Sequence, residues 1–404
     1  MERRRTGPGR AKRLAIRIAG IAAASVFGIW LGAHAFTGHS QTARAIAWGD
    51  SDTGDQFRFA GRAVPNGPPR FDFRPASPEY RDLYSEVLRT LPEPGGSGDR
   101  EVKLEDLLRK SGTLAFLVVK DDELLYEGYF NGGGREKTVT SFSVAKSFAS
   151  ALVGAALADG SIRSVEDSVT DYLPELRDRD PRFEEIRILH LLSMSSGILY
   201  IERGLPWSDD ASTYYSPELR NLALSARIDG PPGKAFLYNN FNPLLIGLIL
   251  ERATGRNVSD YLSERIWSRI GAEAPASWSL DREGGFEKME SGVNARAVDF
   301  LKLGRLYMRG GDWEGDRILP RKWIEESTRP KAPGGTGYGY FWWIAEGPGR
   351  DRHYAAAGKH GQYVFVAPEL GLLIARFGLR DPFHGGWTEI FETIAGRISE
   401  ADRR

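Results

Sequence analysis

Apolar and polar positions alternate between long blocks and short periods along this chain, and their order predicts its architecture. From Ile18 to Phe36 the residues are uncharged and mostly apolar, a stretch near the lower limit for spanning a bilayer. A polar region follows to about Arg100, punctuated by Pro65, Pro68, Pro69, Pro75 and Pro78. A short helix is expected there around Glu79 to Leu91, and Pro92-Glu93-Pro94-Gly95-Gly96-Ser97-Gly98 reads as a linker. Next come a short helix, Leu104 to Lys110, and two strand-like runs, Leu114 to Lys120 and Leu124 to Phe130, joined by the turn Asp121-Asp122. A run rich in Ala, Leu and Val ending at Asp159 reads as a buried helix, and a second apolar helix is expected from Pro243 to about Thr254. After Gly337 strands return at Tyr338 to Ala345, Tyr354 to Ala357, Gln362 to Ala367 and Leu372 to Phe377. A closing helix runs from about Trp387 to Ile398. Strands at both ends with helices between predict an α/β (α+β) fold: one antiparallel sheet, flanked by terminal helices, carrying a large helical insertion. The expected organisation is an N-terminal signal or anchor (1–36), a Pro/Gly-rich spacer (37–100) and a catalytic domain (101–404).

Charge changes this picture at one end only. Arg3, Arg4, Arg5, Arg10, Lys12, Arg13 and Arg17 precede the first apolar block, the order of a signal sequence. Ala33-His34-Ala35 fits a small-x-small cleavage site, so a cleaved signal peptide and an uncleaved anchor both suit the segment. Either keeps the arginines in the cytoplasm and exports the rest, with attachment to the inner membrane through residues 18–36 if cleavage does not occur. Elsewhere composition mostly excludes. The 404 residues, 41% of them hydrophobic, suffice for a sizeable core. A formal net charge of zero gives no support for nucleic-acid binding. Cysteine is absent, and the His residues form no ligand pair at helical spacing, so neither a thiolate nor a metal mechanism is indicated.

Candidate chemistry starts at Ser143-Val144-Ala145-Lys146, where a hydroxyl and an amine fall one helical turn apart at the start of the buried helix. A hydroxyl needs a nearby base to become a nucleophile, and a desolvated lysine can serve. About one Ser-x-x-Lys is expected by chance in a chain of this length, usually on a solvated surface. The apolar flanks here argue otherwise. Tyr238-Asn239-Asn240 follows a Gly/Pro turn and precedes the second apolar helix, a loop position from which side chains can enter a cleft. Its bland reading is a packed Tyr and an Asn cap. Lys359-His360-Gly361-Gln362 opens a strand; it can present a cation, with Gly361 admitting the backbone close to a substrate, or it is an ordinary turn. Trp207, Tyr214 and Tyr215, in a polar loop between the first two motifs, are either cleft-lining groups or loop anchors.

In this order the motifs resemble the serine beta-lactamase and penicillin-binding-protein superfamily, and the Tyr-x-Asn form resembles its class C branch. The likeness extends from about Thr113 to Gly378, including Ser168-Val169-Thr170-Asp171-Tyr172-Leu173-Pro174 and Leu191-Leu192-Ser193-Met194-Ser195-Ser196-Gly197. The wording most resembles family VIII esterases and 6-aminohexanoate-dimer hydrolases. This resemblance implies Ser143 as the nucleophile of an acyl-enzyme and Lys146 with Tyr238 as the shared general base. It implies Asn240 and Lys359 as substrate or electrostatic partners, the backbone N–H groups of Ser143 and Gln362 as an oxyanion hole beside Gly361, and no cofactor. His360 departs from the Thr or Ser expected between the Lys and Gly, which weakens a beta-lactam preference. An exported hydrolase of small esters or amides is therefore the leading expectation. The alternatives are a peptidoglycan-directed D,D-carboxypeptidase or beta-lactamase, and a catalytically silent tethered binding protein.

Overall fold

The apolar residues of the principal sheet alternate between its two faces and so build two cores. The structure, a computed structural model, describes residues 8–94, 100–345 and 353–403. Arg3, Arg4 and Arg5 of the expected signal lie outside these residues, as do Gly95, Gly96, Ser97 and Gly98 of the expected linker. The chain forms two compact units: residues up to Ser51 with Ile201–Pro217, and Asp52–Tyr200 with Glu218–Arg404. In chain order the principal helices are α1 (Pro8–Ala35), α2 (Gln41–Trp48), α3 (Ala145–Asp159), α4 (Asp209–Tyr215), α5 (Phe241–Thr254), α6 (Ala297–Met308) and α7 (Trp387–Asp402). The strands of the larger unit's two main sheets are β1 (Gly61–Val64), β2 (Arg74–Pro75), β3 (Thr113–Lys120), β4 (Glu123–Tyr129), β5 (Thr138–Thr140), β6 (Ala276–Ser279), β7 (Val293–Arg296), β8 (Trp343–Ile344), β9 (Tyr354–Gly358), β10 (Gln362–Ala367) and β11 (Leu372–Gly378).

The principal sheet runs β8-β9-β10-β11-β3-β4-β2, antiparallel except where β2 lies parallel to β4. Period-two alternation sends Leu117, Val364 and Leu373 into one core, where α6 packs across β11, β10 and β3. Phe116, Phe365 and Ile374 enter the other, against Trp387, Phe391 and Ile394 of α7 and the short helix Leu104–Lys110. The helical insertion lies between β4 and β8 in the chain and supplies β5, β6 and β7 of a smaller antiparallel sheet, β1-β6-β7-β5, whose β1 precedes β3 in the chain. Within it α3 is buried from Ala145 to Ala156, apolar on every side, and packs against α5. The expected sheet and insertion are present.

The spacer expected at 37–100 carries more structure than its Pro/Gly punctuation suggests. From Asp52 onward it belongs to the larger unit: β1 pairs with β6 and β2 with β4. Its expected helix ends early, at Tyr84, and Thr90–Pro92 instead pairs with Glu101–Lys103. The strand expected over Tyr338 to Ala345 shrinks to β8. Phe341 adopts φ +60, and a Cβ on Gly339 would sit 2.2 Å from the Ser327 carbonyl, so the backbone bends there instead of extending.

In the smaller unit α1 is long and apolar enough to cross a bilayer, and its large apolar side chains, Ile21, Phe27 and Ile29 among them, are exposed. Length and composition alone suit a signal or an anchor equally. Helix α2 packs against α4. Gln41 Nε2 donates to Ser212 Oγ (2.6 Å), the buried Arg44 donates to the carbonyls of Thr37 and Tyr215, and the Tyr215 hydroxyl donates to the Gly49 carbonyl. Tyr215 is thus a loop anchor, whereas Trp207 is 67% exposed.

Candidate active site

Ser143 sits in a tight turn, Phe142–Val144, that leads directly into α3. The turn is strained at Phe142, which holds φ +42, an orientation that costs a non-glycine residue on the order of 1–3 kcal/mol. Around it Ser141 clasps β7: its N–H donates to the Val293 carbonyl, and its Oγ accepts from the Val293 N–H. These contacts fix the backbone from which the Ser143 hydroxyl projects.

One turn into the helix, the fully buried Lys146 donates from Nζ to Ser143 Oγ at 2.9 Å and to the Glu290 carbonyl at 2.9 Å. The Glu290 carbonyl thus fixes the direction from which the Lys146 amine meets the Ser143 hydroxyl. The Tyr238 ring centroid lies 4.9 Å from the same nitrogen. Hydroxyl, amine and phenol ring, the last 92 residues beyond Lys146 (238 − 146), therefore meet at one point.

Tyr238 stands in an aromatic cluster. Trp343 of β8 stacks on it at 6.0 Å and 16°, and Tyr338 meets it edge-on at 6.2 Å. Burial, reinforced by the neighbouring Tyr238, pushes the Tyr338 phenol well above its ordinary pKa of 10, so that group stays neutral. The middle residue of the motif, Asn239, is buried: its Nδ2 donates to the Ile198 carbonyl, and its Oδ1 accepts from the Phe241 N–H at the start of α5. It is the locking residue of the loop. Asn240 donates from Nδ2 to the Tyr200 hydroxyl at 3.0 Å, while its Oδ1 is buried with no hydrogen-bond partner among the described residues.

A family model described as Beta-lactamase matches residues 104–386, a span containing every one of these motif residues. The chain belongs to the beta-lactamase family. The 6-aminohexanoate-dimer hydrolase of Paenarthrobacter ureafaciens is 27% identical over 394 residues, 85% of this chain and 96% of that protein. A Bacillus anthracis structure assigned as a 6-aminohexanoate-dimer hydrolase superposes with a TM-score of 0.75 at 24% identity, covering 87% of this chain and 94% of its own. A structure from Bacteroides dorei DSM 17855 assigned as a beta-lactamase gives 0.62 at 20% identity, covering 73% and 97%. As a beta-lactamase-family member with hydrolase relatives, the chain is a serine hydrolase.

The third motif spans the β9–β10 turn and the start of β10. Lys359 is exposed at the β9–β10 turn. Gly361 is not open to a substrate, because a Cβ there would lie 2.3 Å from Arg376 Nη1 and 3.0 Å from the Trp387 indole. The Gln362 side chain is buried and turned into the sheet, donating to the carbonyls of Lys359 and Gly378 and accepting from the Gly378 N–H. The close approach comes from Gly358 instead: a Cβ there would fall 2.5 Å from the Ser141 carbonyl and 2.9 Å from the Ser143 nitrogen. Gly358, Glu290 and Tyr200 had no part in the sequence motifs. Only the glycine ending an Ala run before Lys359 carried any signal, since β9 needs a bare backbone where it crosses the Phe142–Val144 turn.

Proposed function

We propose that this chain is an exported serine hydrolase that cleaves small carboxylic esters or amides through an acyl-enzyme on Ser143. The observation that carries this reading is the 2.9 Å contact between Lys146 Nζ and Ser143 Oγ, made by a buried amine also held on the Glu290 carbonyl. Ser143 attacks the substrate carbonyl as Lys146, together with Tyr238, takes its proton. The tetrahedral oxyanion receives hydrogen bonds from the Ser143 N–H and a second backbone N–H of the strand end and turn that follow Gly358. The intermediate expels the alcohol or amine, protonated from the same base pair, and water then releases the acid by the reverse path.

Family relatives named for a linear amide, the 6-aminohexanoate dimer, support a small amide or ester substrate. The aromatic cluster of Tyr238, Tyr338 and the 38% exposed Trp343 supports apolar groups beside the scissile bond. The exposure of Lys359 lends no support to a cleft cation for a beta-lactam or peptide carboxylate. Export is proposed from α1 and the basic residues ahead of its apolar portion.

The test uses the full-length protein with p-nitrophenyl butyrate, a linear 6-aminohexanoate amide and a fluorescent fluorophosphonate. Hydrolysis with labelling at Ser143, both lost in Ser143→Ala, is the expected result. A Ser143→Ala protein that turns over as fast as the parent would overturn the mechanism.

A further inference from the structure

Arg376 lies on β11 with its side chain wholly buried on the α7 side of the sheet. A buried guanidinium is costly unless every donor is met. Here each is. Nε donates to Thr113 Oγ1 (3.1 Å), Nη1 to the carbonyls of His360 (2.5 Å) and Gly361 (2.8 Å), and Nη2 to those of Ser111 (3.2 Å) and Arg380 (3.0 Å). The Trp387 ring covers its face at 4.3 Å. Room for the group is made by two missing side chains, since a Cβ on Gly361 or Gly378 would fall 2.3 or 2.2 Å from its terminal nitrogens. Burial lowers its pKa from 12.5 to about 9, partly offset by Asp381 and Tyr363, so it remains a cation at neutral pH.

Two of its five acceptors are consecutive carbonyls of the β9–β10 turn. The preceding one, of Lys359, takes Gln362 Nε2, and the Gln362 amide is itself fixed on both polar groups of Gly378. All three carbonyls of the turn are thus gripped by donors rooted on β10 and β11. A trans peptide points its N–H opposite its C=O, so gripping the carbonyls also sets where the N–H groups of the turn point. This turn continues directly from Gly358, which lies against the Ser143 nitrogen.

We infer that Arg376 is a positioning residue of the active site: from behind the sheet it holds the His360 and Gly361 carbonyls and thereby fixes the backbone that, with the Ser143 N–H, receives the oxyanion. The inference rests on the proposed acyl-enzyme reading. Arg376 touches no substrate, and Lys cannot replace it, because a point ammonium cannot reach acceptors arrayed around a planar fork.

The experiment compares full-length wild type with Arg376→Lys, reading kcat and KM for p-nitrophenyl butyrate and the inhibition constant of a phenylboronic acid, whose serine adduct carries a tetrahedral anion. A folded Arg376→Lys is expected to lose about 10²-fold in kcat, with KM changed less than about threefold and boronate affinity falling alongside kcat. A purely structural role would lower the melting temperature and leave both constants of the folded fraction intact, and that result overturns the inference. If Arg376→Lys does not fold, Thr113→Val deletes the Nε acceptor, together with the bond between Thr113 Oγ1 and Ser111 Oγ (3.0 Å), and leaves the other four acceptors in place. A parallel loss of about threefold or more in kcat and boronate affinity then supports the inference, and unchanged values overturn it. A wild type that no fluorophosphonate labels would sink the hydrolase reading and this inference together. A labelled wild type with an unaffected variant sinks this inference alone.

Discussion

Glu290 presents its main-chain carbonyl to the Lys146 amine and, through its side chain, forms an ion pair with Lys288. The carboxylate accepts from Lys288 Nζ and from Ser291 Oγ, each at 2.9 Å, and both charged side chains are almost wholly buried. One residue therefore faces the Lys146 amine with its backbone and a buried cation with its side chain.

Removing one partner of a buried pair leaves an uncompensated charge and typically costs about 3–5 kcal/mol. Glu290→Gln and Lys288→Met are each expected to lower stability by about that much, and also kcat, because the Glu290 carbonyl moves with its side chain. The double variant Lys288→Met/Glu290→Leu should be more stable than either single one. Denaturant unfolding of the three proteins reads this directly, and strictly additive losses would refute the coupling.

Gly358→Ala drives a methyl group into the Ser141 carbonyl and the Ser143 nitrogen. Turnover of p-nitrophenyl butyrate should fall by about 10²-fold or more as the nucleophile turn is displaced. Retention of more than about a third of wild-type kcat would show that the turn adapts.

Tyr200→Phe deletes the hydroxyl that holds Asn240 Nδ2. The loss of one hydrogen bond, about 1 kcal/mol, predicts a drop of about fivefold in kcat/KM while fluorophosphonate labelling of Ser143 persists. An unchanged kcat/KM would mean that Asn240 is placed by its backbone alone.

His190 gives the fold a pH dependence of stated sign. Its Nδ1 accepts from the Arg187 N–H at 3.1 Å, and burial, then the Arg187 charge, lowers its pKa from 6.5. The folded chain therefore binds this proton less readily than the unfolded chain. Its contribution favours folding above the unfolded pKa and is lost as pH falls through 6.5 toward the depressed folded value. Between about pH 7 and 5 the melting temperature of wild type should fall further than that of His190→Gln. Equal falls would remove His190 as a source.

What the sequence disclosed about the site was whatever depends on short spacing. Ser143 and Lys146 lie one turn apart at the start of α3, whereas Asn240, in the cap position of α5, makes no side-chain cap bond and the preceding Asn239 accepts from the Phe241 N–H. Strands β3, β10 and β11 were legible because both faces are covered and their residues are nearly all apolar; Gln362–Ala367 has the very bounds its pattern predicts. Long-range pairings were not legible. β1 finds β6 more than 200 residues later (276 − 64), and nothing in the Pro/Gly-punctuated stretch encodes that partner locally. Backbone groups escaped for a related reason: the Glu290 carbonyl and the bare Gly358 have no side-chain signature. Gly361 was legible as a constraint but not as to its cause, which is the guanidinium of a residue on a strand beyond it.

Ile201–Pro217, although it falls between the first two motifs in the chain, is lodged among the residues ahead of Ser51 through Ser212, Tyr215 and the buried Arg44. The segment ahead of Asp52 is thus not interchangeable. Swapping everything before Asp52 for a foreign sequence would strip those seventeen residues (217 − 201 + 1) of their bed, leaving a loose tether between Tyr200 and Glu218, open to any passing protease.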